Sequence, residues 1–131
     1  LEKKEKRKGP EDAYILLIED EEQIRILVQE MLESVSYKVI LAANAKEGIE
    51  IFESKKDLIE LVLLDFYLPD KTGLEVLRKI RNLDESCKVL ITSGFEVDKE
   101  IETALDEGAI GYLSKPFNRE QIIGLIKQIL T

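Results

Sequence analysis

Five short apolar runs alternate with longer segments of helical periodicity, and this alternation limits the possible fold more than any other feature. The runs are Tyr14–Ile18, Lys38–Leu41, Leu61–Leu64, Val89–Thr92 and Ile110–Leu113. Each holds four or five residues and is largely apolar on both faces, which suits strands covered by helices on either side. Between them, Ile24, Leu27, Val28, Met31, Leu32 and Val35 recur at three- and four-residue steps. Leu74, Leu77 and Ile80 repeat that spacing, as do Ile101, Ala104 and Leu105, and finally Ile122, Leu125, Ile126 and Ile129. Asn44 with Glu47, and Asn118 with Gln121, have the spacing of capping boxes. Gly108 stands where a left-handed residue would end the fourth helix. Right-handed crossovers leave few ways to wind five βα units. The expected architecture is α/β: a doubly wound (βα)5 fold with a parallel sheet in the order 2-1-3-4-5 and helices on both faces.

At 131 residues the chain is one domain with room for a sizeable core, and its 44% hydrophobic and 35% charged content is ordinary for a globular protein. There is no histidine, which removes His-based catalysis and His-ligated zinc. Cys87 is the only cysteine, so an internal disulfide is impossible and a reducing, cytoplasmic setting fits. No apolar stretch is long enough to span a bilayer. The net charge of −8 is uneven: residues 1–12 carry five basic and four acidic side chains, leaving −9 for the remainder. An acidic domain is a poor nucleic-acid binder, and the Lys3–Lys8 cluster reads better as a solvated linker than as a contact for phosphate or lipid. The chain opens on Leu rather than Met, as a piece excised from a longer protein would. Residues 1–12 are thus expected to be a charged linker or expression remnant, and residues 13–131 the folded domain.

Three of the runs end in residues fit to hold a metal and a phosphoryl group. In an open parallel sheet the carboxyl ends of the strands share one edge, and ligands bind there. Glu19 and Asp20 follow the first run, and Asp65 ends the third. Alone, Glu19 and Asp20 read best as acids at the start of a helix, where the helix dipole favours them. Asp65 turns that balance, because converging carboxylates repel and a magnesium ion relieves them. Lys115, after the fifth run and before Pro116, can reach an anion held at Asp65, although a lone lysine is more often a surface group. Ser93 offers a hydroxyl at the same edge, with Thr92 a competing donor and Gly94 permitting close approach. A carboxylate between a metal and a lysine is suited to accept a phosphoryl group as an acyl phosphate.

These stretches resemble the CheY-like receiver domains of two-component response regulators. Ile15 through Glu21 resembles that family's first-strand acidic motif, and Asp65-Phe66-Tyr67-Leu68-Pro69-Asp70-Lys71-Thr72-Gly73 its phosphoacceptor loop. Val89 through Gly94 resembles the strand bearing the switch hydroxyl, and Gly108 through Phe117 the closing motif. The resemblance covers residues 13–131 and implies a flavodoxin-like fold. It makes Asp65 the acceptor of a phosphoryl group from a phosphohistidine, on a sensor histidine kinase or a histidine phosphotransfer protein. It assigns Mg2+ to Asp20, Asp65 and the backbone carbonyl of Tyr67, with Glu19 acting through a water. Ser93 and Lys115 would contact the phosphoryl group, and Tyr112 would be the aromatic switch that reports to the face of the fourth helix, fifth strand and fifth helix. The resemblance implies a signalling phosphoacceptor in a phosphorelay, not a turnover enzyme, with no direct contact to nucleic acid or membrane. Tyr67 and Phe95 flank the water path to the phosphate in this family and would slow its hydrolysis. Ser93-Gly94-Phe95 resembles receivers attached to hybrid histidine kinases, and origin in such a kinase or a larger regulator competes with a stand-alone regulator. Two other classes stay open: a magnesium-dependent phosphatase, whose usual second acid is replaced by Tyr67, and a receiver-like interaction module that is never phosphorylated.

Overall fold

The computed structural model describes residues 14–131; the charged lead-in, with Lys3–Lys8 and the expected boundary after residue 12, lies outside the described residues. Strands β1 (Tyr14–Ile18), β2 (Lys38–Ala42), β3 (Ile59–Asp65), β4 (Lys88–Ser93) and β5 (Gly111–Ser114) alternate with helices. The helices are α1 (Glu22–Glu33), α2 (Ala45–Lys55), α3 (Gly73–Leu83), α4 (Lys99–Asp106) and α5 (Arg119–Leu130). All five strands pair in parallel, in the order β2-β1-β3-β4-β5, as the alternation predicts.

Alternate strand residues feed two cores. Leu16, Ile18, Val62, Leu64, Val89 and Ile91 pack against Phe52 of α2, Leu77 and Ile80 of α3, and Ile101 of α4. Ile15, Leu17, Leu61, Leu63 and Leu90 face Val28 and Leu32 of α1 and Ile122 and Ile126 of α5. Each such side chain contributes roughly 1.5–3 kcal/mol when fully buried. A one-residue slip of β3 would exchange its faces and withdraw Asp65 from the sheet edge, so the packing that fixes the register also fixes the site.

Caps close the helices. Asn44, Thr72, Asp98 and Asn118 each accept a backbone N–H three residues on. Thr72/Glu75 and Asn118/Gln121 form reciprocal capping boxes, whereas Glu47 reaches Ala43 N–H at 2.6 Å instead of its own cap. Gly108 follows α4 with φ +115°, and an added Cβ would lie 2.7 Å from Arg81 Nε. Ser36, with φ 75°, is a left-handed residue that the sequence did not signal.

Two expectations shift in detail. β3 begins two residues earlier than its apolar run and includes Asp65, because Ile59 also pairs with Tyr14. The α1 stripe is only partly covered: Val28 and Leu32 are buried, but Leu27 is 51% exposed. Helical periodicity marks an apolar face without saying what covers it.

Candidate functional site

Register gathers the site. Ile18 lies abreast of Leu64, Asp65 of Thr92, and Ser93 of Ser114, so Glu19, Asp65, Ser93 and Lys115 reach one edge of the sheet. Three backbone bonds extend the pairing past the strand ends: Glu19 N–H to Ala42 O, Phe66 N–H to Thr92 O, and Lys115 N–H to Ser93 O. The edge lies where strand order reverses between β1 and β3, the crevice that open α/β sheets use for ligands.

Glu19 and Asp65 are buried while Asp20 is exposed, and one carboxylate oxygen from each of the three lies within 4.8 Å of the others. Lys115 Nζ is 2.8 Å from Glu19 Oε1 and 3.4 Å from Asp65 Oδ2. The second Glu19 oxygen accepts Glu21 N–H at 3.1 Å, and Asp65 Oδ1 accepts Tyr67 N–H at 3.3 Å. Arg25 of α1 donates to the carbonyl of Glu19 at 2.8 Å and steadies the acidic turn. The Lys115–Pro116 peptide is cis.

Burial, followed by the charge of Glu19, pushes the Asp65 carboxyl up to about 7. Burial pulls the Lys115 ammonium down, but its bond to Glu19 and the charge of Asp65 outweigh that and leave it raised. With all three acids ionised, the cluster carries two negative charges beyond the one that Lys115 offsets. A cluster of hard oxygens with that residual charge fits a divalent cation such as Mg2+.

A cavity of about 310 Å³ opens onto Asp65 between Asp20, Tyr67, Phe95 and Lys115. Ser93 is fully buried beside the lining residue Gly94, and its Oγ accepts Phe95 N–H at 3.0 Å, which leaves the hydroxyl hydrogen free to donate elsewhere. The carbonyl of Phe95 accepts the Tyr112 hydroxyl, so Phe95 links Ser93 to Tyr112 through its main chain. Tyr112 is half-buried against the layer of α2, α3 and α4.

The arrangement matches a known family. A model of the response regulator receiver domain matches residues 15–127. The chain belongs to the response regulator receiver family. Among curated relatives of this receiver domain, the transcriptional regulatory protein YkoG of Bacillus subtilis is 37% identical over 92% of the chain, which spans about half (52%) of YkoG. Sporulation initiation phosphotransferase F of the same organism is 30% identical, over 88% of this chain and 92% of that protein. Among solved structures, a receiver domain from Clostridium thermocellum superposes with a TM-score of 0.84 at 30% identity, over 88% of this chain and 92% of the other. Receiver domains are signalling phosphoacceptors of two-component systems, not enzymes in the ordinary sense. No helix among the described residues of this one is long and apolar enough to cross a membrane.

Glu19, Asp20, Asp65, Tyr67, Ser93, Phe95 and Lys115 lie at or beside this edge, whereas Tyr112 lies within β5 abreast of Ile91 and reaches it only through its bond to the Phe95 carbonyl. Sequence reasoning missed the supports of the receiver site. Asp70 accepts Ala45 N–H and Lys46 N–H at 3.0 Å each, clamping the loop after Asp65 to the first turn of α2. Asp98 and Thr72 had a signal, a capping residue just before an apolar periodic stretch. Arg25 and Asp70 had none, because their partners are set by the fold.

Proposed function

We propose that this receiver domain accepts a phosphoryl group on Asp65 from a phosphohistidine of a sensor histidine kinase or a histidine phosphotransfer protein. The observation that carries the reading is the buried Asp65 carboxylate, set between Lys115 and the Glu19–Asp20 pair on the floor of an open cavity. An Asp65 oxygen attacks phosphorus, the P–N bond of the donor breaks as the new P–O bond forms, and the electron pair returns to the imidazole nitrogen. Asp20, Asp65 and the Tyr67 carbonyl, with Glu19 through a water, would hold Mg2+, which when bound neutralises charge on the phosphoryl oxygens. Lys115 exchanges part of its contact with Glu19 for the incoming anion, and Ser93 donates its free hydroxyl hydrogen to a phosphoryl oxygen. Movement of Ser93 is passed through Phe95 to Tyr112 and so to the face of α4, β5 and α5.

The donor docks on α1. Ile24, Leu27 and Met31 form an apolar groove with Pro116 and Phe117, and Gly94 and Lys115 line both this groove and the acceptor cavity. A helix that carries the phosphohistidine and covers those side chains brings its imidazole to Asp65.

Incubation with Mg2+ and phosphoramidate tests the reading. The expected result is one base-labile phosphoryl group per chain, absent in Asp65→Asn. Many turnovers would identify a phosphatase instead, and no label an interaction module. Tyr67 and Phe95, which flank the cavity, shield the acyl phosphate from water. The double variant Tyr67→Asn, Phe95→Glu should shorten the phosphate lifetime roughly tenfold, as removal of about 1.4 kcal/mol of barrier would. An unchanged lifetime refutes the shielding.

A further inference from the structure

The loop between β4 and α4 carries a carboxylate with two jobs. Asp98 Oδ1 accepts Ile101 N–H at 2.9 Å and so caps α4. Asp98 Oδ2 accepts the hydroxyl of Tyr67, a residue that comes from the loop after the acceptor, 31 positions earlier. The Tyr67 ring meets Phe95 edge to face, with centroids 5.0 Å apart and planes at 79°, and meets Phe66 in the same manner at 5.4 Å. Both Tyr67 and Phe95 line the cavity that ends on Asp65. Phe95 is 64% exposed, so it makes a poor wall for its neighbour. The hydroxyl bond is the directional contact that fixes where the Tyr67 ring sits, because ring-on-ring packing tolerates many orientations. Burial, followed by the bond to Asp98, pushes the phenol up to about 12, and the bond to Tyr67 leads the contacts that hold Asp98 below the usual carboxylate range. Donor and acceptor therefore keep their roles at neutral pH.

We propose that Asp98 is a positioning residue for the acceptor site, holding the Tyr67 ring across the cavity mouth and tying that cover to the first turn of α4. The proposal rests on the phosphoacceptor reading only for its effect on phosphate lifetime. One carboxylate serves both bonds, so a displacement of the α4 N-terminus uncovers Asp65. Anything that binds and pulls this turn thereby hastens loss of the phosphoryl group to water. The residue acts through Tyr67 and does not touch the reacting atoms.

Two variants break the bond from opposite ends. Asp98→Ser keeps a side chain able to cap α4 but too short to reach Tyr67, and Tyr67→Phe keeps the ring and the cap but removes the donor. In the unphosphorylated protein, nuclear Overhauser contacts between the Tyr67 and Phe95 rings should be strong and should fade in Asp98→Ser, while α4 amide protection persists. Ring contacts that survive unchanged in Asp98→Ser overturn the proposal without reference to phosphate. In protein labelled with phosphoramidate, each variant should hydrolyse roughly five-fold faster than the parent, the factor that one hydrogen bond of ordinary net strength carries. The double variant should be no faster than either single one. Multiplying effects, or lifetimes equal to the parent's, overturn the positioning role. If the parent takes no label at all, the phosphoacceptor reading falls, and the ring contacts still decide the role of Asp98.

Discussion

Two loops border the cavity at Asp65, and they are built differently. The loop from β3 to α3 is anchored along its length. Phe66 and Leu68 are buried, Gly73 N–H bonds Phe66 O at 2.9 Å, Tyr67 and Thr72 bridge, and Asp70 clamps onto α2. The loop from β4 to α4 is exposed from Gly94 to Asp98 and is held through side-chain bonds from Ser93, Tyr112 and Tyr67. The first loop fixes the direction of the Asp65 carboxylate. The second can rearrange at little cost in packing, which suits the switching role proposed for it.

Glycine substitutions test this contrast most severely. An added Cβ at Gly73 would lie 2.2 Å from the Phe66 ring, whereas at Gly94 it meets nothing within 4 Å. Urea unfolding should show Gly73→Ala destabilised by about 3 kcal/mol and Gly94→Ala changed by less than about 0.5 kcal/mol. Similar losses at both positions would erase the distinction between the loops.

The next effect concerns the charge that the rigid loop aims. The folded carboxyl of Asp65 titrates at about 7, above the roughly 3.9 of an unfolded aspartate. The folded state thus holds this proton more tightly than the unfolded state. Its contribution to stability is complete below about pH 4 and is lost as pH rises towards 7. Asp65→Asn has no charge to bury, so the metal-free variant should gain on the parent by roughly 2 kcal/mol between pH 5 and 7.5. A difference that does not vary with pH would mean that Asp65 is not held in this way.

A smaller effect is expected at the clamp. Burial pushes the Asp70 carboxyl up, but the N–H groups of Lys46 and Ala45 outweigh it and leave it below the usual range. Its stabilisation is present above about pH 4 and is lost as pH falls below that. Asp70→Ala should therefore cost about 1 kcal/mol at pH 7, a typical cap, and progressively less as pH falls below about 4. It should also slow labelling of Asp65 by loosening the acceptor loop. Unaltered labelling kinetics would show that the other anchors suffice.

Much of this was legible before any coordinates. The runs of β1, β3 and β4 are buried on both faces, and those of the edge strands β2 and β5 are half-buried, so all five stood out as apolar against the helices between them. Glu19, Asp20, Asp65, Ser93 and Lys115 end or follow those runs, so position made them candidates, but the choice of Ser93 over Thr92 took the family resemblance. Asn118 and Gly108 carry local signals that the backbone obeys. What escaped was of two kinds. Asp70 and Arg25 act on partners brought near only by the finished topology. Leu27 belongs to a regular apolar stripe, and the same spacing serves a covered face and an open groove equally well.

The bond between Lys115 and Glu19 joins residues 96 positions apart. One partner follows the opening strand and the other the closing one, so a ribosome must release nearly the entire domain before both exist together. A nascent domain therefore holds Glu19 and Asp65 without their counter-charge until the closing strand has emerged.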